Sequence, residues 1–228
     1  MIDQIVECII SRPQEFTLAG RTFAIYPESL GVSLLLVCHY KRLGLRNDGR
    51  VAASMEALML CKQQRNEVAE IIALSTASGK DEALDPQWMQ ERAKFLTKHL
   101  SDDEMAALLI VILSMPRADA LIKDIGLDRE QEEKRRIAKA SGDNSVSFGG
   151  RSLYGALIDA ACERYGWTFD YVVWGISLVN LRMMLADAIA SMYVSDETRK
   201  KAHIQPRGEE FISAENTDID TLRKMTEG

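Results

Sequence analysis

Histidine is the side chain best suited to bind a metal or move a proton near neutral pH. This chain has three: His39, His99 and His203. No HxH, HExxH or HxxxH spacing relates any two of them. His39 falls in an apolar stretch, His99 near an expected helix end and His203 in a polar segment, so all three read as packing or surface histidines. The cysteines Cys8, Cys38, Cys61 and Cys162 are scattered, with no CxxC pair and no histidine at ligand distance, and a zinc site is not expected. Their neighbours are mostly apolar, and they read as reduced core thiols of a cytoplasmic protein. The nucleophile elbow GxSxG, the phosphate loop GxxxxGK[ST] and the dinucleotide fingerprint GxGxxG do not occur. Phe148-Gly149-Gly150 before a helix has the outline of an anion cradle but nothing else of a phosphate motif, and reads as a flexible loop. Asp102, Asp103 and Glu104 fall in a first helical turn, where negative charge suits the helix dipole. The expectation is no catalytic residue, no metal and no cofactor.

What the chain concentrates instead is aromatic surface. Ser152 to Tyr193 reads as two amphipathic helices joined at Tyr165-Gly166-Trp167, with Phe169, Tyr171 and Trp174 close behind. Aromatic side chains dominate cores and interfaces alike, so this elbow is either the core of a small helical subdomain or an anchor for a partner. Tyr165, Trp167, Phe169, Tyr171, Trp174 and Leu178 are the candidate partner-binding residues. The two tryptophans fall on opposite sides of a short helical segment, so one should be core and one partly exposed, Trp167 being the exposed one. Mixed charge around the elbow argues against base stacking.

The whole-chain balance agrees. The 228 residues suffice for a real core. A net charge of -6 is a poor basis for nucleic-acid binding, whose affinity comes largely from Lys and Arg on phosphates. The N-terminus lacks a basic region followed by a cleavage site, and no apolar run, Leu34 to Cys38 included, is long enough to cross a bilayer. The expected location is the cytoplasm, with no membrane and no nucleic acid as partner.

The elements that must position the elbow are mostly helices, and the expected fold is mainly α, a multi-helix bundle with a small N-terminal β-hairpin. Phe16-Thr17-Leu18 and Phe23-Ala24-Ile25 alternate around Ala19-Gly20-Arg21, the pattern of a hairpin. Too short to stand alone, it should pack on the helix that opens at Glu28-Ser29-Leu30 and ends near Gly44. One long helix is expected from Asn47-Asp48 to Gly79. Asp85-Pro86 starts another, and Ser101-Asp102-Asp103-Glu104 is a capping box for the next. Asp128 to Lys139 is nearly all charged and reads as a solvated helix arm or linker. Residues 141–150 have loop composition. Thr168 or Asp170 should cap the short segment through Trp174, and Ser177 a long helix through Leu181, Leu185 and Met192. The expected domains are 1–140, a hairpin with a helical body; 141–204, a C-terminal helical subdomain; and 205–228, a disordered tail.

One family resemblance follows from these residues. Leu18, Gly20, Tyr26, Pro27, Ser29 and Leu30 near the start, and Tyr165, Gly166, Trp167, Thr168 and Trp174 near the end, resemble the opening strand and the late Gly-Trp turn of bacteriophage (prophage) tail assembly chaperones. The charged stretch from Asp128 to Lys139 has no counterpart in that pattern. The resemblance implies a non-enzymatic protein that binds and solubilises the long helical tape measure protein before tail tube polymerisation. The partners it implies are the tape measure protein and the tail tube protein, with a homo-oligomer as a further expectation, in the cytoplasm of the bacterial host. Ten methionines suit adaptable apolar contacts of this kind. The alternatives are a small helical enzyme of unknown chemistry, or a helical adaptor or regulatory protein of a mobile element.

Overall fold

The computed structural model describes residues 6, 9–44, 54–115, 118–124, 126–141, 152–188 and 194–203. The expected loop at 142–150, the continuation of the last long helix to Met192, Cys8 and the tail at 205–228 lie outside them. The chain divides into two compact units, one of residues 1–131 with 145–191 and the other of 132–144 with 192–228.

The first unit begins with strands β1 (Gln14–Leu18) and β2 (Arg21–Ile25), antiparallel, with Leu18 opposite Arg21 and Phe16 opposite Phe23. The turn between them has only two residues, Ala19 and Gly20, both at positive φ (48° and 73°), the backbone that right-twisted hairpins favour. The hairpin's aromatic face turns to a helix other than the adjoining one. Phe23 stacks with Phe16 at 5.3 Å and meets Phe95 at 5.7 Å, while the Arg92 guanidinium lies 4.9 Å from the Phe23 ring. Phe95 and Arg92 both belong to α5 (Pro86–His99). The side-chain alternation is right for a hairpin, but which distant helix covers it depends on tertiary packing. Ile25 joins the same buried cluster as Val32 and Leu36.

Helix α1 (Leu30–Arg42) is capped by Ser29, whose Oγ accepts from Val32 N, and ends before Gly44 at φ 73°. The expected long helix from 48 to 79 is two helices, α2 (Ser54–Gln63) and α3 (Arg65–Ser75), with Gln64 between them at non-helical angles. Arg65 supplies a reason for the break. Its guanidinium pairs with Asp102 and donates to the backbone oxygens of Thr97, at 3.1 Å, and Leu100. That anchors the start of α3 to the junction between α5 and α6 (Asp102–Leu113). Short α4 (Lys80–Leu84) precedes α5, and Asp85 caps α5 with Pro86 in its first turn. Ser101 and Glu104 form the reciprocal capping box of α6.

Helix α3 is the centre of this packing. It lies against α1, α2, α5 and α6, and its residues Ile71, Ile72, Ala73 and Leu74 are all essentially inaccessible. Cys61 is buried beside this core and its thiol is pushed up to about 11, first by burial and then by Asp102. Cys38, expected in the core, is exposed: it lies on the outer side of α1 and its thiol donates to the Leu34 carbonyl of its own helix.

Helix α7 (Ala118–Asp124) packs on α10 (Leu178–Ala186), and Arg182 holds both carboxylate oxygens of Asp119, at 3.1 and 2.5 Å. Helix α9 (Leu153–Tyr165) ends at Gly166, which takes the left-handed conformation at φ 65°. Among the described residues no helix is long and apolar enough to cross a membrane. Helix α8 (Leu127–Ala140) leads from the first unit into the second; its charges are solvated and include the i,i+3 pairs Glu132–Arg135 and Glu133–Arg136. In the second unit, α11 (Asp196–Lys201) is capped by Ser195.

Candidate functional site

The elbow is built from a forced stop, a local cap and one wide helical turn. Gly166 stops α9, since a left-handed residue there ends the ladder at the lowest steric cost. Thr168 then caps the next turn, its Oγ1 accepting from Tyr171 N at 3.2 Å. Asp170 makes no cap; its carboxylate pairs with the Lys80 ammonium on α4. Tyr171–Gly175 is a single π-turn, a widened turn often found at functional positions. It gives way to Ser177, which caps α10 by accepting from Asn180 N.

This geometry distributes the six candidate residues unequally. Tyr165, at the end of α9, donates through its hydroxyl to Met184 O at 3.0 Å. Trp167 lies between Tyr165, at 4.7 Å, and the edge of Tyr171, at 5.1 Å. It packs against a small cluster of Ala161, Val172 and Leu181 and is half-buried, as Trp174 is too, so the elbow has no fully buried tryptophan. The exposed rings are Phe169, at 64 %, and Tyr171, at 44 %. Trp174 packs against the larger core and lies on Gly31 of α1, where an added Cβ would come within 2.5–2.7 Å of the indole. Leu178 is half-buried at the start of α10, its N–H donating to Glu28 O at 2.7 Å. The elbow is thus fastened to the N-terminal part of the unit, by the Ser29–Ser177 bridge and by Trp174 on α1.

Fastening leaves a hollow. Tyr171, Trp174 and Ile176 form one wall, Tyr26, Glu28 and Val32 another, and Met183 and Met184 of α10 a third, around an open cleft of about 620 Å³. That is the size range of a ligand pocket, but the lining is mostly apolar, and its charged members are the two carboxylates Glu28 and Asp187. Ser75, at the end of α3, also lines it. Its Oγ is buried and has no hydrogen-bond partner among the described residues, while its carbonyl accepts from Tyr26 N at 3.1 Å. A buried hydroxyl without a partner costs free energy that an incoming polar group recovers. Asn180 Nδ2 reaches Ser11 Oγ at 3.0 Å on the same rim. Of the elbow candidates, the cleft takes in Tyr171 and Trp174; Tyr165, Trp167, Phe169 and Leu178 do not line it.

Sequence reasoning missed the N-terminal half of this cleft, because Tyr26, Glu28 and Ser75 carry no signal of it in their neighbours. It also missed a second grouping. His39 on α1 stands beside Glu67 and Glu70 of α3, with Nδ1 2.8 Å from Glu67 Oε1 and 3.5 Å from Glu70 Oε2. Glu67 and Glu70 share a helix face by their i,i+3 spacing, which is legible, but the histidine arrives from another helix. No family model matches the chain, and no curated protein or solved structure was found similar to it.

Proposed function

We propose that this chain is a non-enzymatic tail assembly chaperone of a bacteriophage, which binds an exposed apolar helix of the tape measure protein and keeps it soluble before the tail tube polymerises. The observation that supports the reading is the open, apolar cleft walled by Tyr171, Trp174, Met183 and Met184. An amphipathic helix lays its apolar face into such a groove, and methionine walls adapt to more than one stripe of side chains. Phe169 lies outside the cleft, so its exposed ring extends the apolar surface of the elbow. Asp187 in the lining favours a helix with a Lys or Arg beside its apolar stripe.

The test is co-expression of the chain with the candidate tape measure protein. The proposal expects the tape measure protein to move from the insoluble to the soluble fraction and to co-purify with the chain. A tape measure protein equally insoluble with and without the chain would overturn it.

A further inference from the structure

We infer that His39, Glu67 and Glu70 form a binding site for one divalent transition-metal ion, zinc being the ion that best suits the donor set, and that the ion fastens α1 to α3. The three donor atoms, one imidazole nitrogen and two carboxylate oxygens, all lie within 4.8 Å of one another. Ligands about 2.1 Å from a tetrahedral zinc stand about 3.4 Å apart. His39 Nδ1 and Glu70 Oε2, at 3.5 Å, already have that spacing. His39 Nδ1 and Glu67 Oε1, at 2.8 Å, are at hydrogen-bond distance and need to separate by about half an ångström when the ion replaces the shared proton.

Burial distinguishes this trio from an ordinary surface cluster. The His39 and Glu67 side chains are only 15 % and 19 % exposed, while Glu70 at 38 % opens one side to solvent. Two carboxylates this close, one of them largely shielded, need a positive charge between them. The cations already at hand are a protonated His39, which pairs with both carboxylates, and Arg42, 62 % exposed and 3.5 Å from Glu67; a metal ion would take the place of the imidazole's proton. Three protein ligands with one open side leave a fourth position for water. Imidazole with carboxylate suits zinc, cobalt or manganese better than calcium or magnesium, which prefer all-oxygen shells. The ligands come from two helices that pack directly on each other, so an ion here would add to folding stability.

The test uses the untagged full chain, stripped of metal, at neutral pH. Zinc at a hundredfold excess over its dissociation constant should raise the melting temperature by about 5 °C or more, and magnesium at the same concentration should leave it unchanged. Cobalt should bind at one equivalent with visible absorption. His39→Ala and Glu70→Gln should each weaken binding at least tenfold. Glu70 is the most exposed ligand, so Glu70→Gln keeps the test decisive if His39→Ala fails to fold. The proposal is overturned if zinc gives no shift, if magnesium gives an equal one, or if both variants bind as the parent does, which would place the ion on the other histidines or cysteines.

Discussion

Helix α3 and the elbow at 165–178 are both rich in large apolar side chains, yet the fold treats them differently. Every residue from Ile71 to Ala77 is buried, because α3 is enclosed by α1, α2, α5 and α6. The elbow is covered on one side only. Trp174 rests on Gly31 and Val172 is buried, while Phe169 and Tyr171 project outward. Burial thus follows the cover available rather than hydrophobicity. The uncovered aromatics flank a cleft lined also by the buried hydroxyl of Ser75, at the end of α3 itself.

Trp174 is where the two regions meet, and its removal should have the largest effect. Trp174→Ala should cost roughly 3–5 kcal/mol of folding stability, read from urea or thermal unfolding. A loss below about 1 kcal/mol would mean that the elbow and the core are not mechanically joined. Gly31→Ala probes the same contact from the other side. Alanine is the better helix former by about 1 kcal/mol, but its Cβ would meet the indole at 2.5–2.7 Å. Overpacking should dominate, for a net loss of about 1–2 kcal/mol; a stabilised variant would show that Trp174 moves aside freely.

A smaller effect is expected on the core side alone, at the capping box of α6. Ser101→Ala should cost about 1 kcal/mol. The Glu104 carboxyl is held below its ordinary range by the backbone and hydroxyl of Ser101. A carboxylate with a lowered folded-state pKa contributes stability that is complete above its unfolded value, about 4.3, and is lost as pH falls through the lower folded value. In Ser101→Ala, stability should therefore fall less steeply below pH 4.3 than in the parent. A parallel decline would place the acid sensitivity elsewhere.

How much of this the sequence reveals depends on the range of the interaction. Caps are local, and Ser29, Asp85, Ser101, Gly166 and Ser177 all stand where their neighbours predict a helix start or stop. The mainly helical class and the two-stranded hairpin are legible for the same reason. The break at Gln64 is not, since it is fixed by Arg65 bonding to residues more than thirty positions away. Asp170 reads as a cap until Lys80 is brought to it from ninety positions away. Trp167 and Trp174 read as one partly exposed and one core residue, whereas the fold leaves both half-buried, Trp167 between two tyrosines and Trp174 on α1. The elbow was visible as composition, but its opposing wall of Tyr26, Glu28 and Val32 exists only once the chain is folded.

The central claim is that the exposed face of the elbow binds a helix without being needed for folding. The most direct measurement compares the parent with the double variant Phe169→Ala/Tyr171→Ala, in melting temperature and in the amount of candidate tape measure protein kept soluble on co-expression. The account predicts a melting temperature no more than about 5 °C below the parent, since Phe169 is an exposed side chain and Tyr171 gives up its edge contact with Trp167, together with loss of most of the soluble partner. Unchanged partner solubility in a double variant that folds as well as the parent would contradict it.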